Sequence, residues 1–191
     1  PATYTENEEE ATSLDITLHD SVMDTDLVLT YSVYEDYPVV TRSARLVQKG
    51  NQKIRLENVM SAAVEFPDMD YEMIHLSGAW ARERYVKTRK LEMGIQAVQS
   101  LAGTGSSSEQ NPFIALKRPH TTEDTGEVFG FSFVYSGNFL AQVEVSTYEM
   151  TRVMMGINPQ GFSWELSRDE EFQTPEVVMV YSDKGLNGMS Q

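Results

Sequence analysis

Between Glu127 and Ser136 the chain sets Phe129, Phe131, Phe133 and Tyr135 against Val128, Gly130, Ser132 and Val134. A period of two is what a pleated strand imposes on its side chains, and it conflicts with the 3.6-residue repeat of a helix. The same alternation starts near Ser13 with Leu14, Ile16 and Leu18 and continues with Leu27, Leu29, Tyr31 and Val33, predicting half-buried strands. Further strands are expected at 39–47, 53–66, 71–76, 83–90 and 95–101, and again at 151–157, 162–166 and 172–181. The turn signal Lys49-Gly50-Asn51-Gln52 predicts a hairpin between 39–47 and 53–66, and Gly137-Asn138 predicts that 139–146 returns antiparallel to 127–136. About eleven or twelve strands and no helix follow, an all-β chain best built as a large antiparallel β-sandwich.

The sequence of 191 residues is read as a single domain. Residues 1–11, with Glu6 and the triplet Glu8-Glu9-Glu10, are expected to fray, and the Gly/Ser-rich residues 102–111 to form a flexible loop. Both ends read as cut from something longer, with 183–191 the run-in to another element. Acidic side chains outnumber basic ones 29 to 15, a net charge of −14 that disfavours nucleic acid and anionic membranes as partners. There is no cysteine, which excludes disulfides, thiolate metal sites and a cysteine nucleophile. No apolar run reaches the roughly 20 residues that span a bilayer as a helix.

Glycosidic hydrolysis needs two carboxyl groups about 5 to 9 Å apart, one of them kept protonated. Asp68-Met69-Asp70, Glu123-Asp124 and Asp169-Glu170-Glu171 supply carboxylates, but clustered acids of this kind are what solvated turns carry. His19, His75 and His120 are scattered, and His120 with Glu123 on a Pro-flanked loop lacks the further ligands of a zinc site. Neither a metal nor a cofactor is expected. Trp80 is the strongest single candidate for recognition, because small residues precede it in Ser77-Gly78-Ala79-Trp80 and Arg82, Glu83 and Arg84 follow. A flat aromatic face beside two guanidinium groups suits a sugar or the carboxylates of a partner surface. The opposing reading buries Trp80 in the core or a domain interface, with Arg82 or Arg84 paired to Glu83 or another acid. Strict alternation would put Arg82 and Arg84 on one face and Glu83 on the other. Trp164 is expected in the core.

The stretches Leu76-Ser77-Gly78-Ala79-Trp80-Ala81-Arg82-Glu83-Arg84, Asn111-Pro112-Phe113-Ile114-Ala115-Leu116 and Thr121-Thr122-Glu123-Asp124-Thr125-Gly126-Glu127-Val128-Phe129-Gly130-Phe131 carry a resemblance. So do Tyr135-Ser136-Gly137-Asn138-Phe139-Leu140-Ala141-Gln142-Val143-Glu144 and the ending from Tyr181 to Gln191. Together they resemble the domain that precedes the catalytic barrel in bacterial α-galactosidases of glycoside hydrolase family 36. The resemblance implies a β-supersandwich, truncated at its N-terminal side, resting against a (β/α)8 barrel that hydrolyses terminal α-1,6-galactosyl bonds of the melibiose and raffinose type. It implies that both catalytic aspartates belong to the barrel, so none is assigned here. It also implies a cytoplasmic parent that is a homo-oligomer, and a supporting role for this domain at the barrel and between subunits. Many relatives carry His-Gln near the Asn-Pro-Phe segment; here Ser108-Glu109-Gln110 stands there, so no histidine role transfers. An autonomous carbohydrate-binding module and an assembly protein with free strand edges are the rival readings.

Overall fold

The computed structural model describes residues 10–103 and 109–191. In chain order the strands are β1 (Ala11–Asp20), β2 (Thr25–Tyr34), β3 (Val39–Gln48), β4 (Ile54–Leu56), β5 (Met60–Phe66), β6 (Glu72–Ala79), β7 (Arg82–Lys90) and β8 (Gly94–Ser100). They continue with β9 (Gln110–Lys117), β10 (Val128–Phe133), β11 (Phe139–Val145), β12 (Thr151–Ile157), β13 (Trp164–Leu166), β14 (Glu171–Gln173) and β15 (Val177–Ser182), followed by a short helix, α1 (Gly185–Ser190). The nine-stranded sheet runs β1-β2-β3-β15-β10-β9-β6-β7, with β14 also on β3; a four-stranded sheet runs β5-β12-β11-β8, and β13 pairs β4. Every named pairing is antiparallel. No helix among the described residues is long and apolar enough to cross a membrane.

The main core lies between the two larger sheets. Met73, Ile114, Leu116, Phe131 and Phe133 from the first meet Phe139, Ala141, Val143, Val153 and Met155 from the second. The alternation that marked 127–136 does this work: Phe131 and Phe133 point inward while Val128 joins Ile74 and Ala115 on the opposite face. That opposite face is covered in part by Leu186 and Met189 of α1. Residues 183–191, expected as a linker, thus include a helix, and the first N–H groups of α1 are satisfied by loop carbonyls: Leu186 bonds Thr122 at 3.1 Å and Asn187 bonds Glu123 at 2.9 Å. The helix was not expected because only the 122–126 turn supplies those acceptors.

Pairing departs from the expected hairpins where a strand's edges are already taken. β3 bonds β2 along one edge and β14 with β15 along the other, so 53–66 cannot pair with it. That segment splits, β4 joining β13 and β5 joining β12. β10 is likewise flanked by β9 and β15, so β11 crosses to the other sheet, between β12 and β8. The expected strand 172–181 breaks at Thr174-Pro175, where Thr174 exchanges bonds with Ala44 through its N–H and its hydroxyl. β1 is not half-buried: all but its first residue are exposed. Of the expected frayed end 1–11 and loop 102–111, Ala11 belongs to β1 and Gln110 and Asn111 to β9, while residues 1–9 and 104–108 lie outside the described residues. Trp164, expected in the core, is 50% exposed and leans on Phe172 with ring centroids 5.4 Å apart. In its short strand β13, paired with β4, the buried position is taken by Leu166 and not by Trp164.

Candidate functional site

β6 and β7 form the hairpin at one end of the nine-stranded sheet, joined by the two residues Trp80 and Ala81. Ala81 takes a left-handed conformation, φ 63°, which closes the turn. Trp80 at the tip is 86% exposed, so it is not a core residue of this chain. Arg82, Glu83 and Arg84 are all exposed, as is every other residue of β7, the outermost strand.

The strand does not alternate as expected. Ser77 pairs with Tyr85 but Ala79 with Arg82, so two steps on β6 face three on β7. The extra residue is a β-bulge, marked by Arg84 at φ 60°, and it rephases the strand. Arg82 is thereby brought to the side of Tyr85 and Lys87, and the expected pairing of Arg82 with Arg84 on one face is lost. Gly78 sits opposite the bulge because the Arg82 and Glu83 backbone leaves no room for a β-carbon. Alternation alone could not reveal this.

Arg82, Tyr85 and Lys87 line a cleft of about 460 Å³ with Ser77, Gly78 and Gln110. Behind it His75 is buried, and Arg89 donates a hydrogen bond of 2.7 Å to its Nε2, which leaves the imidazole proton on Nδ1. Burial, then the neighbouring Arg89 charge, holds His75 below its ordinary pKa, while Gln110 acts weakly in the opposite sense. His75 Nδ1–H and Gln110 Oε1, a buried donor and a buried acceptor, have no other partner and are left to each other. Lys87, Tyr85 and Gln110 escaped the sequence reading, since they converge only through the β6–β7 and β6–β9 pairings.

Several of the other candidates have structural partners, while His120 is exposed. Asp68 is gripped by Arg118, whose guanidinium also bonds Glu127 at 2.8 Å and lies 3.9 Å above the Tyr71 ring centroid. That hydrogen bond to Arg118 holds the Asp68 carboxyl below its usual range, and burial pushes the Tyr71 phenol up to about 12. Asp124 accepts from Asn187 of α1, and Glu171 pairs with Arg45. His19 bonds Asp26 at 2.7 Å. Among the described residues no three His, Asp or Glu side chains are grouped to hold a metal ion.

The antiparallel sheets and the exposed tryptophan hairpin define an all-β sandwich domain. Residues 1–167 match the glycosyl hydrolase family 36 N-terminal domain, and the chain belongs to that family. It is 55% identical over all 191 residues to α-galactosidase AgaA of Geobacillus stearothermophilus and 44% identical to α-galactosidase Mel36A of Lactobacillus acidophilus, in each case spanning 26% of the relative. The crystal structure of AgaA superposes over the whole chain with a TM-score of 0.97 at 54% identity. The galactosidase domain of the α-galactosidase-sucrose kinase AgaSK superposes over 98% of the chain with a TM-score of 0.94 at 36% identity. The chain thus spans about a quarter of the length of these relatives, and it corresponds to their N-terminal, not their catalytic, region.

Proposed function

We propose that the chain is the non-catalytic N-terminal part of a cytoplasmic α-galactosidase acting on terminal α-1,6-galactosides such as melibiose and raffinose, and that it braces the catalytic barrel and the contacts between subunits of a homo-oligomer. One observation carries the assembly role: Trp80 stands 86% exposed on a hairpin tip, flanked by Arg82, Glu83 and Arg84. A tryptophan with adjacent arginines is the residue set that anchors protein interfaces, and leaving so large an apolar face in water is unfavourable until a partner covers it. The catalytic pair is assigned to the barrel.

The experiment has two arms. The 191-residue chain, free of host enzyme, is expected to show no turnover of p-nitrophenyl α-galactoside above the buffer rate. In the complete parent, Trp80→Ala is expected to weaken subunit association in sedimentation velocity, or to lower kcat/KM, while leaving the fold intact. Turnover by the chain alone would overturn the non-catalytic assignment, and a parent unaffected by Trp80→Ala would overturn the interface.

A further inference from the structure

The nine-stranded sheet ends in β1 on one side and β7 on the other, and among the described residues neither outer edge pairs with a strand. Every residue of β7 and all but the first of β1 are exposed. Charge is divided between these two ends. Of the 15 basic residues in the sequence, five, Arg82, Arg84, Lys87, Arg89 and Lys90, lie in β7 beside a single acid, Glu83. At the other end the first basic residue of the sequence is Arg42, so β1 and β2 contain neither Lys nor Arg, whereas ten of the 29 acidic residues precede it. Asp15 and Asp20 lie in β1 itself, and Asp24 in the turn that follows.

A strand edge with free N–H and C=O groups is a template for another chain, and like charges set opposite one another across the new pair oppose it. β1 against β1 sets acid against acid, and β7 against β7 sets cation against cation; only β7 against β1 joins opposite signs. Direction agrees with charge. The order β1-β2-β3-β15-β10-β9-β6-β7 takes seven steps, each antiparallel, so β1 and β7 run in opposite directions. A copy set beside the first without inversion therefore offers β7 antiparallel to β1, the pairing used throughout the sheet. The strands match in length, ten residues and nine, and directly paired residues place the row Leu14, Ile16 and Leu18 on the same face as Tyr85 and Lys87, whose ring and alkyl stem suit an apolar neighbour.

We propose that β7 of one copy adds as a strand to β1 of a second copy, a head-to-tail contact that continues the large sheet from molecule to molecule. The antiparallel sense sets the start of β7 beside the end of β1. Trp80, Arg82 and Arg84 of one copy thereby meet the β1–β2 turn of the next, where Val22 and Met23 are exposed and Asp20 and Asp24 supply carboxylates. The proposal names the surface that covers the β6–β7 hairpin and so rests on the reading of that hairpin as an interface. Each added copy leaves one acidic and one basic edge free, so the contact builds a ring or an open chain of copies.

The test is complementation between two variants of the 191-residue chain, followed by sedimentation velocity at low ionic strength. The unmodified chain is expected to be half-associated between about 10 μM and about 1 mM, and to associate at least about tenfold more weakly in about 0.5 M NaCl. Arg84→Glu with Lys87→Glu removes the basic edge, and Asp15→Lys with Asp24→Lys the acidic one; all four residues are exposed, and each variant alone is expected to stay monomeric. The equimolar mixture of the two is expected to recover association, because the basic edge of one still meets the acidic edge of the other, and that recovery also shows that both variants are folded. An unmodified chain that is monomeric at about 1 mM, either variant associating as the unmodified chain does, or a mixture that stays monomeric would each overturn the proposal. Any of these results together with a parent still weakened by Trp80→Ala would give the hairpin a different occupant and leave its interface role standing.

Discussion

Gly78 and Arg82 approach so closely across the β6–β7 hairpin that a β-carbon on Gly78 would overlap the Arg82 carbonyl oxygen and crowd the Glu83 backbone behind it. Both obstacles are main chain, which cannot swing aside as a side chain would. Gly78→Ala is therefore expected to cost about 1–3 kcal/mol and to disturb the bulge at Arg84. Urea unfolding measures the loss, and a variant as stable as the parent sequence would show that the hairpin opens freely.

Phe139 and Trp80 have opposite fates, the first wholly buried between the sheets and the second exposed at a tip. Phe139→Ala is expected to destabilise the chain by about 3–5 kcal/mol, through lost burial and the cavity left behind. Trp80→Ala should stay within about 0.5 kcal/mol in the same chain. Equal losses at the two positions, by denaturant midpoint, would contradict this division.

His75 gives the fold a pH dependence of known sign. Its folded pKa is depressed by burial and by Arg89, so between that value and the ordinary one near 6.5 the unfolded chain binds the extra proton. The stabilisation is complete above about pH 6.5 and declines as pH falls toward the folded value. His75→Gln should flatten the thermal midpoint across this interval. An unaltered slope in the variant would assign the dependence to another group.

β1 ends the nine-stranded sheet opposite β7 and exposes Leu14 (59%), Ile16 (40%) and Leu18 (51%) in one row. Among the described residues its outer edge pairs with no strand, and an apolar edge strand is a template for pairing with another chain. The 191-residue chain is expected to associate with rising concentration, and Leu14→Lys with Ile16→Lys to suppress it. Light scattering over a hundredfold dilution decides this; a constant monomer mass for the unmodified chain would remove the edge as an association site.

The sequence by itself determined where most of the strands lie and, for regular ones such as β10 and β12, which way their side chains face. Side chains of a pleated chain alternate whatever the partner, so Phe131, Phe133 and the strand β12 at Thr151–Ile157 were legible from local pattern. The motif around Trp80 was legible too, because small and charged residues crowd around one large ring. Tertiary structure alone decided the partners. β11 could not return to β10, nor 53–66 to β3, because one edge of each was held by the preceding strand, β9 or β2, and the other by β15, joined on β3 by β14. Trp164 looked like a core residue, yet in β13 it is Leu166 that is buried while Trp164 stays half exposed against Phe172. The cleft needed three strands and one bulge to bring Arg82, Lys87 and Gln110 together. A bulge arises when the turn at Trp80-Ala81 and the register of β6 disagree by one residue, a mismatch that exists only once the two strands have met.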